Sequence, residues 1–151
     1  MSAAACAPRT ADAARDSTPL PARDLDYLRS RRLLVPVAGV RVANIPDSFD
    51  DARDGGRRHH AVDILAPRGT PVRAADDGRV LKLRSGGAGG IALYATDPSG
   101  RFVYYYAHLD RYRDRLVEGM RLSRGDVVGY VGSTGNAPRR ANAPTQVPSA
   151  T

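Results

Sequence analysis

Along most of this chain, apolar and polar positions alternate with a period of two, and the alternating runs are short. Leu34 to Val42, Ala61 to Leu65, Val72 to Ala74, Arg79 to Arg84, Ile91 to Thr96, Arg101 to His108 and Asp126 to Val131 are rich in β-branched or aromatic residues. Clusters of Gly, Pro, Asp and Ser separate them, so each run is expected to be a strand. Asp97-Pro98-Ser99-Gly100 has turn chemistry: Pro98 pre-sets the second position, and Asp97 can bond the backbone that follows. It should join Ile91–Thr96 to Arg101–His108 as a hairpin. One segment has helical spacing. In Asp24-Leu25-Asp26-Tyr27-Leu28-Arg29, Leu25 and Leu28 share a face and Asp24 can cap; the helix should end by Leu34, because Pro36 disfavours a helical residue before it.

The pattern divides the 151 residues into three parts. Residues 1–23, rich in Ala, Pro, Arg and Asp, read as a disordered tether. Residues 24–137 form a mainly β domain, and residues 138–151 lose the alternation and read as an irregular tail. The run Ser85-Gly86-Gly87-Ala88-Gly89-Gly90 is a flexible connector that lets backbone approach closely. It lacks the Gly-Lys-Ser/Thr ending of a phosphate cradle.

Charge narrows the partners. The formal net charge is +7, almost all of the basic side is arginine, and Lys82 is the only lysine. This suits polyanions or anionic surfaces, the bacterial cell wall among them; the alternative is a solvated arginine surface. No recognised nucleic-acid module accompanies the charge, so no nucleic-acid partner is expected. Cys6 is the only cysteine, which excludes an internal disulfide and a thiolate-rich metal cage. The run Ala3-Ala4-Ala5-Cys6 is similar to a bacterial lipoprotein cleavage point, but the five residues before Cys6 are too few for a signal peptide. A lipid anchor at Cys6 therefore requires a longer precursor, and an incidental cysteine is the preferred reading.

The candidate chemistry lies in three histidines. On an extended chain, His59 and Asp63 share a face and can converge on one ion, whereas His60 is an odd number of residues from Asp63 and points away. Tyr104, Tyr106 and His108 likewise share a face, which puts an imidazole at the end of an aromatic row. A lone histidine is more often structural; His59, Asp63 and His108 together favour a site.

Several separated blocks occur in one order: Arg58-His59-His60-Ala61-Val62-Asp63-Ile64-Leu65-Ala66-Pro67, Asp77-Gly78-Arg79-Val80, Tyr105-Tyr106-Ala107-His108-Leu109, Arg124-Gly125-Asp126-Val127-Val128-Gly129 and Ser133-Thr134-Gly135-Asn136. Together they resemble the lysostaphin/LytM-type zinc endopeptidases, which cut peptide cross-links of bacterial cell walls. The resemblance implies a small antiparallel sheet with a groove, of the duplicated-hybrid-motif type, and an envelope location, periplasmic or extracellular. It further implies Zn2+ held by His59 and Asp63, with His108 assisting the zinc-bound water.

The chain departs from this family where a His-x-His strand should follow. Ala143-Pro144-Thr145-Gln146-Val147 stands there, and no histidine follows His108. Two protein ligands instead of three imply zinc that is weakly bound or absent. The expectation is a truncated or defective peptidase with weak or no hydrolysis. The competing reading is a non-catalytic regulator that binds the wall or activates another wall hydrolase. A third class, biotinyl or lipoyl carriers, shares the Gly-Thr-Pro-Val and Gly-Asp-Val-Val text but needs a lysine at a hairpin tip, and Lys82 lies within an expected strand.

Overall fold

The computed structural model describes residues 21–47, 52–53, 57–58 and 61–137. The described residues fall into two compact units, one ending at Arg32 and one beginning at Leu33. In the first, α1 spans Ala22–Ser30 and starts two residues before the expected cap. Pro21 occupies the N-cap position, and its carbonyl accepts the amides of Asp24 and Leu25 at 2.8 and 3.2 Å. Asp24 therefore sits inside the first turn, where its charge complements the helix dipole, rather than capping it.

The second unit is mainly β. Strands β1 (Ala52–Arg53) and β2 (Arg57–Arg58) pair with each other. The remaining strands are β3 (Pro71–Arg73), β4 (Gly78–Arg84), β5 (Ile91–Thr96), β6 (Val103–Tyr112), β7 (Arg121–Leu122) and β8 (Val127–Val131). They form one curled antiparallel sheet in the order β3-β8-β6-β5-β4-β7. The β5–β6 hairpin forms as expected. Its turn is organised by Asp97, which is 2% exposed and accepts the Ser99 amide at 3.0 Å and the Phe102 amide at 2.8 Å.

Two expected strands do not form. Leu34 to Val42 follows the outer edge of β3, with bonds from Leu34 N to Ala75 O, Arg73 N to Pro36 O and Ala38 N to Pro71 O. Only Val37 and Val72 make a bridge. Pro36 and Pro71 have no amide to donate, and Gly39 turns the chain away at φ 79°. Ala61 to Leu65 has no strand either. Asp63 and Ile64, neighbours in sequence, are both half-buried, so the alternation on which a strand depends is absent. The two-residue β7 was too short to be seen in the pattern.

Cross-strand pairing over β4–β5–β6 separates two faces. Val80, Ala95 and Tyr104 stand opposite one another on the inner side, where Leu93, Leu109 and Val128 are buried. The outer row is Lys82, Tyr94 and Tyr105. Lys82 lies in mid-strand and not at a hairpin tip, which removes the carrier reading.

Three phenol hydroxyls tie the strands of the sheet to neighbouring segments. The Tyr106 hydroxyl accepts the Ala75 amide at 3.0 Å, and the Tyr104 hydroxyl donates to buried Asp76 at 3.0 Å. The Tyr112 hydroxyl donates to the carbonyls of Arg84 and Ala92 at 2.6 and 2.9 Å. Burial pushes all three phenols above their ordinary titration range, and Tyr104 is raised further by its bond to Asp76. Each contributes stability in full below the unfolded tyrosine value of about 10, and loses it as pH rises through the higher folded value. An alkaline unfolding transition above about pH 10 is expected, with tyrosinate absorbance appearing together with loss of β circular dichroism. Complete ionisation of all seven tyrosines while the sheet persists would contradict this.

Candidate active site

The site is organised by an irregularity in β6. Between β5 and β6 the register moves from Leu93↔Tyr106 to Ile91↔Leu109, so β6 carries one extra residue. Tyr106 and Leu109, three apart, are consequently both buried, at 8% and 2% exposure. Strict alternation had placed His108 at the end of the Tyr104–Tyr106 row; the bulge changes the parity and takes His108 out of that row. His108 has φ 57°, an uncommon left-handed conformation for a residue with a side chain.

What holds the bulge is the turn that follows β8. The His108 amide donates to Gly89 O at 2.9 Å. Its ring Nδ1 lies 2.8 Å from Thr134 O. A carbonyl can only accept, so Nδ1 carries the proton, and in the neutral ring Nε2 keeps a free lone pair. Thr134 Oγ1 donates to Leu109 O at 2.7 Å and accepts the Ile91 amide at 2.9 Å. Asn136 N donates to Ala88 O at 2.9 Å. The glycine connector thus admits the Thr134–Gly135 backbone, as its composition indicated.

Thr134 had been legible only as part of a matching motif block. Its role as the clamp on His108 follows from the bulge, which alternation could not reveal.

The conformation of His108 gives a direct expectation. Both His108→Gly and His108→Ala lose the ring contact, but only alanine keeps the left-handed strain. The glycine variant should be the more stable by about 1 kcal/mol in urea unfolding. Equal stability would show that the backbone relaxes out of the bulge.

Asp63 is half-buried in the irregular segment before Ala66 and has interaction partners there. His59 and His60 lie outside the described residues, as do Cys6 and the Ala143–Val147 segment. Because 61–65 is not a strand, the same-face argument for His59 and Asp63 no longer has a strand to rest on.

The comparisons with known proteins agree with the motif blocks. Residues 57–145, more than half of the chain, match the model of Peptidase family M23. The chain belongs to that family, the lysostaphin/LytM type. It is 42% identical over 82 residues to the DD-carboxypeptidase/endopeptidase Mpg of Neisseria meningitidis, covering 54% of this chain and 18% of the relative. It is 34% identical over 93 residues to an L-Ala–D-Glu endopeptidase of Bacillus subtilis, covering 60% and 28%. A solved zinc-containing peptidase from Vibrio cholerae superposes with TM-score 0.55 at 27% identity, over 66% of this chain and 31% of that one. The chain therefore spans less than a third of the length of either curated relative.

The family implies zinc, and of its expected ligands only Asp63 lies among the described residues. Among the described residues no three His, Cys, Asp or Glu side chains converge as a metal site requires. The sequence has no histidine beyond His108. Among the described residues, no helix is long and apolar enough to cross a membrane.

Proposed function

We propose that this chain is a peptidoglycan-directed, zinc-metalloendopeptidase-like domain of the bacterial envelope that has weak or no hydrolytic activity as it stands. Its homologues are peptidoglycan endopeptidases of family M23. The observation that carries the reading is the clamped imidazole of His108, whose Nδ1 is committed to Thr134 O and whose Nε2 is left available. Such a ring takes a proton from water or a hydroxyl at Nε2 and returns it to a leaving group, the role of a general base and acid. The bulge and the Thr134 carbonyl fix where that nitrogen points.

His59 and Asp63 are the proposed metal half-site, Zn2+ being the ion they would hold, and no histidine follows His108 in this sequence to stand where the family resemblance expects the third ligand. Peptide cross-links are the proposed substrate. That same incomplete set favours a second reading, a regulator that binds the wall or activates another wall hydrolase. Incubating the chain with isolated cell-wall sacculi and added zinc separates the two. Little or no release of soluble peptide is expected. Efficient hydrolysis would overturn the proposal, and stimulation of a second hydrolase added to the mixture would favour the regulator.

A further inference from the structure

We infer that the outer face of β4–β5–β6 is a docking subsite for an acidic peptide, with Tyr94 and Tyr105 as its floor and Lys82 and Arg84 as its carboxylate-binding rim. The inference rests on the peptidoglycan-directed reading above.

Register puts Lys82 opposite Tyr94 and Tyr94 opposite Tyr105, so the three form one row across three strands. Arg84, two residues beyond Lys82, stands opposite Ala92 on the same face. The tyrosine rings lie 4.7 Å apart, tilted by 35°. Tyr105 is 51% exposed. Two rigid rings with few torsions to immobilise make an efficient contact surface, and phenols are favoured at such places because one end remains wet.

The patch adjoins the clamped histidine through a single residue. A Cβ on Gly89 would lie 2.1 Å from the Tyr105 hydroxyl, so the ring rests directly on that backbone. The carbonyl of the same Gly89 holds the His108 amide. One connector residue thus touches the tyrosine pair and bonds the backbone of the histidine.

Charge identifies the occupant. The three strands contain one carboxylate, Asp110, already bonded by Arg68 and Arg111. Glu118, on the segment beside β4, accepts the Leu83 amide at 2.9 Å. Arg79 is committed to Gly119 O at 2.6 Å, whereas Lys82 and Arg84 form no ion pair among the described residues. An aromatic floor with uncommitted cations along one side complements an extended peptide carrying free carboxylates. A neutral sugar would use the rings and leave both cations without a partner.

The test uses the 151-residue chain without added metal and reads binding alone. The probe is a synthetic peptide containing L-Ala–D-Glu with free carboxylates, compared with the same peptide in fully amidated form. The acidic form should bind about tenfold tighter at low salt and lose that advantage at high salt, with shifts in the ring resonances of Tyr94 and Tyr105. Lys82→Gln with Arg84→Gln should weaken the acidic probe about tenfold and leave the amide unchanged. Tyr105→Ala should weaken both forms. Thermal unfolding of these surface variants checks that they remain folded. Equal binding of the two forms, undiminished binding by the double variant, or full displacement by a peptide-free glycan fragment would overturn the inference. Because hydrolysis is not measured, an inactive chain leaves the result intact. An active chain whose binding ignores the carboxylates defeats the subsite alone.

Discussion

Replacing the residues after Ala137 with a strand carrying Pro-His-Leu-His-Phe is expected to give a chain that binds zinc tightly and hydrolyses peptidoglycan. The unaltered chain should do neither efficiently. Structural zinc sites with four protein ligands are worth about 10–16 kcal/mol, so one ligand contributes on the order of 3 kcal/mol, roughly a hundredfold in affinity. His59 and Asp63 supply two ligands, and the added histidine would be the third while leaving a position open. In the restored chain, His59→Ala or Asp63→Ala should abolish tight zinc binding. His108→Ala should leave zinc bound and slow turnover by about 10²–10⁴, because its assigned work is proton transfer. Zinc affinity and release of soluble wall peptides, measured on each chain, decide the matter. If the unaltered chain already hydrolyses the wall, another residue completes the ligand set and the account of the loss is wrong.

The parts of this fold that were legible in the sequence are those in which one local rule governs. Ile91–Thr96 was read with its bounds correct because a glycine run precedes it and Asp97-Pro98-Ser99-Gly100 ends it with a turn. Leu34 to Val42 and Ala61 to Leu65 have the composition of strands, but a strand also needs a partner with free amides. Pro36 and Pro71 remove that possibility in the first case. In the second, burial of both Asp63 and Ile64 shows packing that overrides alternation. His108 shows the same limit at the site itself. Its candidacy was readable from Tyr-Ala-His-Leu, but its direction depends on a one-residue bulge and on Thr134, twenty-six residues away, and no periodicity encodes either. That is why the residue that clamps the imidazole was found in the structure and not in the pattern.

Gly90→Ala should be the most damaging single change in the glycine connector, and Gly87→Ala, three residues earlier, a mild one. Both glycines have left-handed backbones, φ 63° and 73°, so an alanine at either costs about 1–2 kcal/mol in strain. At Gly87 nothing lies within 4 Å of the added Cβ, and strain is the whole cost. At Gly90 the Cβ would lie 2.3 Å from the carbonyl carbon and Oγ1 of Thr134 and 2.5 Å from Gly135 N. Most of those atoms are backbone, so Thr134 has to move as a unit, adding about 1–3 kcal/mol of overpacking. The total loss expected in urea unfolding is about 2–5 kcal/mol. Moving Thr134 also removes the carbonyl that binds His108 Nδ1 and the hydroxyl that ties Ile91 to Leu109. The His108 ring proton, visible by nitrogen-15 NMR in the parent chain, should therefore broaden or vanish in Gly90→Ala under conditions where the protein is still folded, and persist in Gly87→Ala. Equal losses of stability, or an intact Nδ1 proton in both variants, would mean that the connector yields to the turn and that close backbone approach does not hold the imidazole in place.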